Sequence, residues 1–226
     1  MTLSQFKKKF EALRKKGFVK THRKGPTGVG HTLEQELGLT ENNIAGPDFK
    51  FAELKAHRSS SGSLITLFTF NRKVWKIKPI DAVKRYGTPD ENGRLGIYFT
   101  MGPTPNSAGL FLDFKDDELA LRHRDGTSIA TISVDEQIAM FNADFPNIIL
   151  ASADVESRVA FEFFHFSRAR LVRGVSKASL FTAFRNGDMK YDVRLRLDEK
   201  SRGAENNRLL INECRLPEMF EYSEEL

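Results

Sequence analysis

Two hydrophobic periods alternate along this chain, and their order constrains the fold more than any other feature. Residues 188–198, DMKYDVRLRLD, alternate strictly. Met189, Tyr191, Val193, Leu195 and Leu197 share one face, and Lys190, Asp192, Arg194 and Arg196 the other, which predicts a half-buried strand with its charges outward. Residues 3–16 instead space Leu3, Phe6, Phe10 and Leu13 by three and four with lysines between, which predicts an amphipathic helix. Further helices are expected at 31–38, 79–86, 135–146 and 176–187. In the first of these, Thr32 and Gln35 suit a capping box and Gly38 a stop. Strand-like runs fall at 48–57, 63–70, 95–101, 109–114, 119–126, 128–134, 147–156 and 158–172, with LLINE (209–213) as a last short strand. SLITLFTF (63–70) is apolar on both faces, which predicts a central strand. The aromatic run FEFFHF reads as core. Strands mixed with a few helices predict one α/β (α+β) domain, with room for two lobes and a cleft between them.

Composition excludes several classes. At 226 residues, 40% hydrophobic and 29% charged, the chain has the length and balance of a soluble globular domain. No apolar run is long enough to span a membrane, and lysines stand where a signal peptide needs apolar residues, so a cytoplasmic location is expected. A single cysteine, Cys214, excludes a disulfide framework and a multi-cysteine zinc site. The net charge is +5, and nine Lys/Arg crowd the first 24 residues against one acid, Glu11. That bias suits a polyanionic partner, although a solvated helix face accounts for it equally. The last nine residues hold four glutamates and read as a polar tail.

The stretch GPDFKFAELKAHR (46–58) puts charges into what otherwise looks like a buried strand. Glu53 and Lys55 share a face by parity, whereas Asp48 falls on the opposite face of an unbroken strand. The three converge only if the chain bulges or turns between them. If they converge, two carboxylates and a lysine make a set for metal-assisted phosphodiester hydrolysis. The acids would hold a hard cation such as Mg²⁺, and the lysine would serve the attacking water or a developing negative charge. The competing reading is an exposed Glu–Lys pair on a strand edge.

The segments THRKGPTGVGHTLEQELG, GPDFKFAELKAHR and SLITLFTF, in this order, resemble the MvaI/BcnI family of restriction endonucleases. The likeness continues at VKRYGTPDENG, IILASADVE and SLFTAFRNGDMKYDVRLRL, covering about residues 17–212. GHTLEQELG also resembles a helix of MutH, a mismatch-repair nicking enzyme with the same PD-(D/E)xK core. The resemblance implies a mixed central sheet flanked by helices, with DNA in a cleft between two lobes. The catalytic core would be roughly 17–101 with 146–197, and the remaining segments the recognition lobe. It implies Asp48 and Glu53 as metal ligands, Lys55 beside the attacking water and Glu34 as a further carboxylate. Members of this kind are Mg²⁺-dependent type II enzymes that cut short, C/G-rich double-stranded DNA. Some act as monomers, the state expected here, and a DNA methyltransferase is the functional partner. The alternatives are a MutH-like nicking repair enzyme, a catalytically inactive DNA-binding protein, and a basic protein for another polyanion.

Candidate DNA contacts follow. His22, Arg23 and Lys24 lie in a basic loop, where Gly25 and Gly28 would allow close backbone approach to a phosphate. His57 shares the parity of Lys55 and either reaches the scissile phosphate or is structural. Arg202, Asn206, Asn207 and Arg208, in SRGAENNR, have the chemistry of base readout and also that of a plain turn. Arg72, Lys73, Arg168 and Arg170 read as surface cations.

Overall fold

The computed structural model describes residues 1–39, 49, 51–70, 75–115, 118–197, 203–205 and 207–226. The chain begins with α1 (Leu3–Lys16), β1 (Val19–Lys20), α2 (Gly28–Glu36), β2 (Glu53–Arg58) and β3 (Leu64–Phe70). Next come α3 (Pro79–Tyr86), β4 (Thr88–Pro89), β5 (Leu95–Met101), β6 (Leu110–Lys115), β7 (Glu118–His123), β8 (Ser128–Ser133) and α4 (Val134–Asp144). Then follow β9 (Ile148–Arg158), β10 (Phe161–Val175), α5 (Lys177–Arg185), β11 (Met189–Leu197), β12 (Gly203–Glu205) and β13 (Asn207–Asn212). A 3₁₀ segment (Glu213–Met219) and β14 (Phe220–Glu225) complete the order. Two compact units result: Met1–Ser63 with Phe141–Ser176 and Asn212–Leu226, and Leu64–Met140 with Lys177–Ile211. Among the described residues, no helix is long and apolar enough to cross a membrane.

The first unit is built on a mixed sheet in the order β1-β10-β9-β2. β2 runs parallel to β9, and the other pairings are antiparallel. A strand has two edges, so β1 and β14 share one edge of the long β10, β1 pairing near Phe164 and β14 between Arg170 and Val175. Ile149, Ala151 and Ala153 of β9 and Phe164 and Phe166 of β10 recur at period two and form one face. α1 closes that face with Phe6, Phe10 and Leu13, and α2 with Val29, Leu33 and Leu37. Thr2 caps α1, its hydroxyl accepting from Gln5 N at 3.3 Å while the Gln5 side chain accepts from Thr2 N at 2.9 Å.

Two expectations change in this unit. α2 starts at Gly28, so Thr32 is inside the helix and not its cap. Its buried hydroxyl donates to Gly28 O at 2.7 Å and accepts from His22 N at 3.0 Å, because a buried hydroxyl must spend its bonds locally. Gly38, at φ +68°, does stop the helix. The C-terminal glutamates are not a loose tail: β14 pairs with β10, and Glu225 accepts from Arg170 Nε at 2.9 Å. Its mostly exposed residues leave no hydrophobic alternation to read.

The second unit holds a sheet ordered β3-β13-β11-β5-β4, with β12 on β11, and a meander β6-β7-β8. Met189, Tyr191, Val193 and Leu195 point inward as their parity requires. Asp192 does not point outward: it is 1% exposed, covered by Arg194, Thr100 and Arg208. β3, expected to be central, ends its sheet among the described strands, with β13 its neighbour. The described side chains of β3 are half-buried or exposed, so its apolar run does not mark a central position. Phe114 of β6 packs edge-on to Phe181 of α5, with centroids 3.6 Å apart.

A buried ion cluster joins the distant parts of the first unit. Arg58 Nε donates to Glu162 Oε1 at 3.0 Å and its NH2 to Glu162 Oε2 at 2.8 Å. Its NH1 donates to Glu213 Oε1 at 3.3 Å and to Pro26 O at 3.2 Å, and NH2 to Gly25 O at 3.0 Å. Glu213 also accepts from Arg58 N at 2.8 Å. Glu213→Ala is expected to lower unfolding stability in urea by about 3–5 kcal/mol, the cost of breaking a buried pair. A loss below about 1 kcal/mol would show that the cluster is not a structural tie.

Candidate active site

The strand that carries the acid and the lysine starts immediately after a tight turn. Phe49 N donates to Ala52 O at 3.0 Å and Ala52 N to Phe49 O at 3.4 Å. The run expected as a strand from residue 48 therefore becomes regular only at Glu53, whose N–H donates to Asn147 O at 3.0 Å. A turn between Asp48 and Glu53 is the condition on which their convergence depended, but Asp48 lies outside the described residues.

Register assigns the faces. Glu53, Lys55 and His57 pair with Ile148, Leu150 and Ser152, whereas Leu54 and Ala56 pair with Ile149 and Ala151. Paired residues share a face, so the acid and lysine lie opposite the α1–α2 core. Lys55 Nζ stands 3.3 Å from Glu53 Oε1 and 4.8 Å from the centroid of the Phe145 ring. The two side chains are 22% and 38% exposed, so the pair is accessible yet backed by protein. A partly exposed carboxylate oxygen is a hard donor, and Mg²⁺ accepts few protein ligands and keeps waters, so this chemistry fits such an ion. Among the described residues, no three His, Cys, Asp or Glu side chains are grouped as a preformed metal site.

The remaining candidates are placed differently. Glu34 is half-buried on α2, whose neighbouring Leu33 is anchored in the core over the opposite face of β2. His57 is 2% exposed, with Nε2 2.7 Å from Ser152 Oγ. Its burial, with the Arg170 charge acting the same way, holds the imidazole below its ordinary pKa of 6.5. His57 therefore lies inside the sheet layer, away from the surface.

The basic loop is pinned. Thr21 N donates to Glu162 O at 2.9 Å and its hydroxyl to Arg23 O at 2.6 Å, while Arg58 fastens Gly25 and Pro26. His22 Nε2 lies 3.2 Å from Glu36 Oε1, and Lys16 Nζ 2.8 Å from Glu36 Oε2. Burial works against the Glu36 charge, yet these two partners hold the carboxyl below its ordinary pKa. A Cβ on Gly28 would meet Arg23 O at 2.3 Å, so this glycine serves the loop's own closure. Lys24 Nζ sits 4.9 Å from the Phe161 centroid.

In the second unit, Arg208 NH2 donates to Asp192 Oδ2 at 2.9 Å, and Arg194 grips Asp192 through Nε and NH2 at 2.9 and 2.8 Å. Burial opposes the Asp192 charge, but these bonds and Thr100 keep its pKa low. One buried carboxylate thus presents two guanidinium groups, about 41% and 35% exposed. Arg194 had read only as a solvent-facing strand residue. Arg202 and Asn206 lie outside the described residues, as do Arg72 and Lys73, and of Asn207 the backbone is placed in β13. Phe145 and the Arg58 cluster had no sequence signal, since Arg58 meets acids 104 and 155 positions away.

The fold is that of a restriction endonuclease. Restriction endonuclease MvaI in complex with its cognate DNA substrate matches with a TM-score of 0.67 and 24% identity, over the entire chain and 99% of that chain. MvaI in the absence of DNA matches at 0.62 and 23%, over the entire chain and 98% of that chain. No curated protein matches the sequence. The profile of the MvaI/BcnI restriction endonuclease family matches residues 7–210. The chain belongs to the MvaI/BcnI restriction endonuclease family, and its activity class is that of a site-specific deoxyribonuclease.

The pKa of His57 gives a pH signature. A depressed folded pKa contributes stability that is complete above the unfolded value and lost as pH falls through the folded one. Stability is therefore expected to decline as pH drops below 6.5. His57→Gln, which can still bond Ser152, should flatten that part of a urea-midpoint profile, and an unchanged slope would exclude His57 as its source.

Proposed function

We propose that the chain is a Mg²⁺-dependent type II restriction endonuclease that cuts short, C/G-rich sites in double-stranded DNA. The Glu53–Lys55 pair carries this reading: an acid and a cation on one face, at the start of a strand, after a turn. Glu53 and Asp48 would hold the ion, with Glu34 as an additional carboxylate. Bound there, Mg²⁺ supplies Lewis-acid stabilisation of the phosphate and a more acidic water. Lys55 Nζ orients the attacking water and offsets charge that develops on the phosphate. Phe145 and Glu53 together limit where that ammonium can point.

In this reading the first unit carries catalysis, and His22, Arg23 and Lys24 present positive charge to the DNA backbone. Arg208 in the second unit has guanidinium geometry suited to guanine O6 and N7, and Asp192 pre-orients it. The enzyme acts as a monomer, and a methyltransferase with the same site preference protects the host DNA.

Asp48→Ala, Glu53→Ala and Lys55→Ala are each expected to cut plasmid cleavage by at least about a hundredfold at unchanged thermal midpoint, as for loss of a transition-state group. Near-normal Mg²⁺-dependent cleavage by Lys55→Ala would overturn the assignment, and nicking without double-strand cuts by the intact chain would favour a MutH-like enzyme. Arg208→Ala should cost about 1–3 kcal/mol of discrimination at one base pair, read by competition between the cleavage site and single-base variants.

A further inference from the structure

The β9–β10 hairpin ends in an apolar tip that the acid–lysine pair does not explain, with a basic collar to which the basic loop contributes Lys24. Val159 is fully exposed at φ +56°, a region that β-branched residues rarely enter. Phe161 is 37% exposed, although it belongs to a run that reads as core. Lys20 Nζ sits 3.7 Å and Lys24 Nζ 4.9 Å from its ring centroid. Arg158 lies over Phe163 at 4.6 Å and over Phe18 at 5.7 Å. The nearby acids are matched: Glu156 bonds Arg158 Nε at 2.9 Å, and Glu162 bonds Arg58. A strained apolar residue and an exposed ring, ringed by cations, are poorly explained as packing.

Register connects this tip to the candidate active site. Arg158, Glu156 and Asp154 pair with Phe161, Phe163 and His165. By parity along β9 they share the face of Ile148 and Leu150, hence that of Glu53 and Lys55. From Leu150, the partner of Lys55, to Arg158 is eight residues along β9, whose pairing to β10 shifts register once, between Phe166 and Arg168. At about 3.3 Å per residue the separation is roughly 26 Å. Duplex DNA rises about 3.4 Å per base pair, so this corresponds to about eight base pairs. Arg58, at the end of β2, bonds Glu162, the residue after Phe161, which ties the tip end of the hairpin to β2.

Building on the nuclease reading, we propose that this tip is a flank anchor for double-stranded DNA. Val159 and Phe161 enter a groove about eight base pairs from the scissile phosphate, outside the recognition sequence, and Lys20, Lys24 and Arg158 meet the adjoining phosphates. Apolar wedges flanked by cations are a known means of holding a duplex groove. The anchor would fix the direction in which the duplex leaves the site.

The test uses the full chain with Ca²⁺ in place of Mg²⁺ and labelled duplexes carrying the site mapped from wild-type cleavage ends. Wild-type affinity should fall when the duplex on one side of the cut is shorter than about eight base pairs, the length set by the strand rise. Phe161→Ala should weaken binding to the long duplex about tenfold, through loss of the apolar wedge. It should also abolish the length dependence. Lys20→Ala with Lys24→Ala should reduce the salt slope of log K by about 0.9 for each phosphate that the protein no longer neutralises. Val159→Asn accepts positive φ, so its thermal midpoint should hold or rise while affinity falls. Full affinity and unchanged length dependence in Phe161→Ala and Val159→Asn would overturn the anchor alone. A wild-type chain that neither cuts nor binds any duplex would overturn the nuclease reading beneath it.

Discussion

The arrangement of the first unit depends on one buried guanidinium. Arg58 ends β2, and its bonds reach the first residues of β10, the carbonyls of Gly25 and Pro26, and the 3₁₀ segment through Glu213. An arginine cannot shed its charge to escape burial, so it must be surrounded by acceptors. Burial works against the cation here, yet the two glutamates outweigh it and hold its pKa above the ordinary value. Those partners come from separate places in the chain, and satisfying them positions several backbone segments at once. The basic loop, the start of β10 and the end of β2 are thereby tied together.

That tie also separates the two faces of the sheet. One face is apolar and closed by α1 and α2, with Arg58 on its side near Phe164. The other carries Glu53, Lys55 and, further along, His57 against Ser152. A carboxylate and an ammonium are held 3.3 Å apart there, on a partly exposed strand start. In the second unit Asp192 repeats the device, one buried acid setting the direction of two arginines.

Periodicity made much of the framework legible. The helix at 3–16 and the inward set of Met189, Tyr191, Val193 and Leu195 follow directly from spacing, because each element buries one face. The start of α2 was not legible, since its first turn, Gly28–His31, lacks the apolar pattern and is held by loop bonds. β14 escaped for a similar reason: an exposed edge strand needs no hydrophobic alternation. Within the candidate site, parity correctly put Glu53 with Lys55, while the family resemblance alone singled them out from other Glu–Lys pairs. Parity could not show that His57 is buried or that Asp192 is covered, because both depend on partners distant in sequence. The exposed tip at Val159 and Phe161 was masked by aromatic residues that do form core on alternate positions, Phe164 and Phe166.

A type II restriction endonuclease cleaves DNA at one defined sequence, and this chain should do the same. The most direct measurement is to incubate it with unmethylated phage DNA, with Mg²⁺ and with EDTA, and to sequence the fragment ends. Discrete fragments should form with Mg²⁺ alone, all ending in one short C/G-rich sequence. Intact DNA, or ends without a shared sequence, would contradict it.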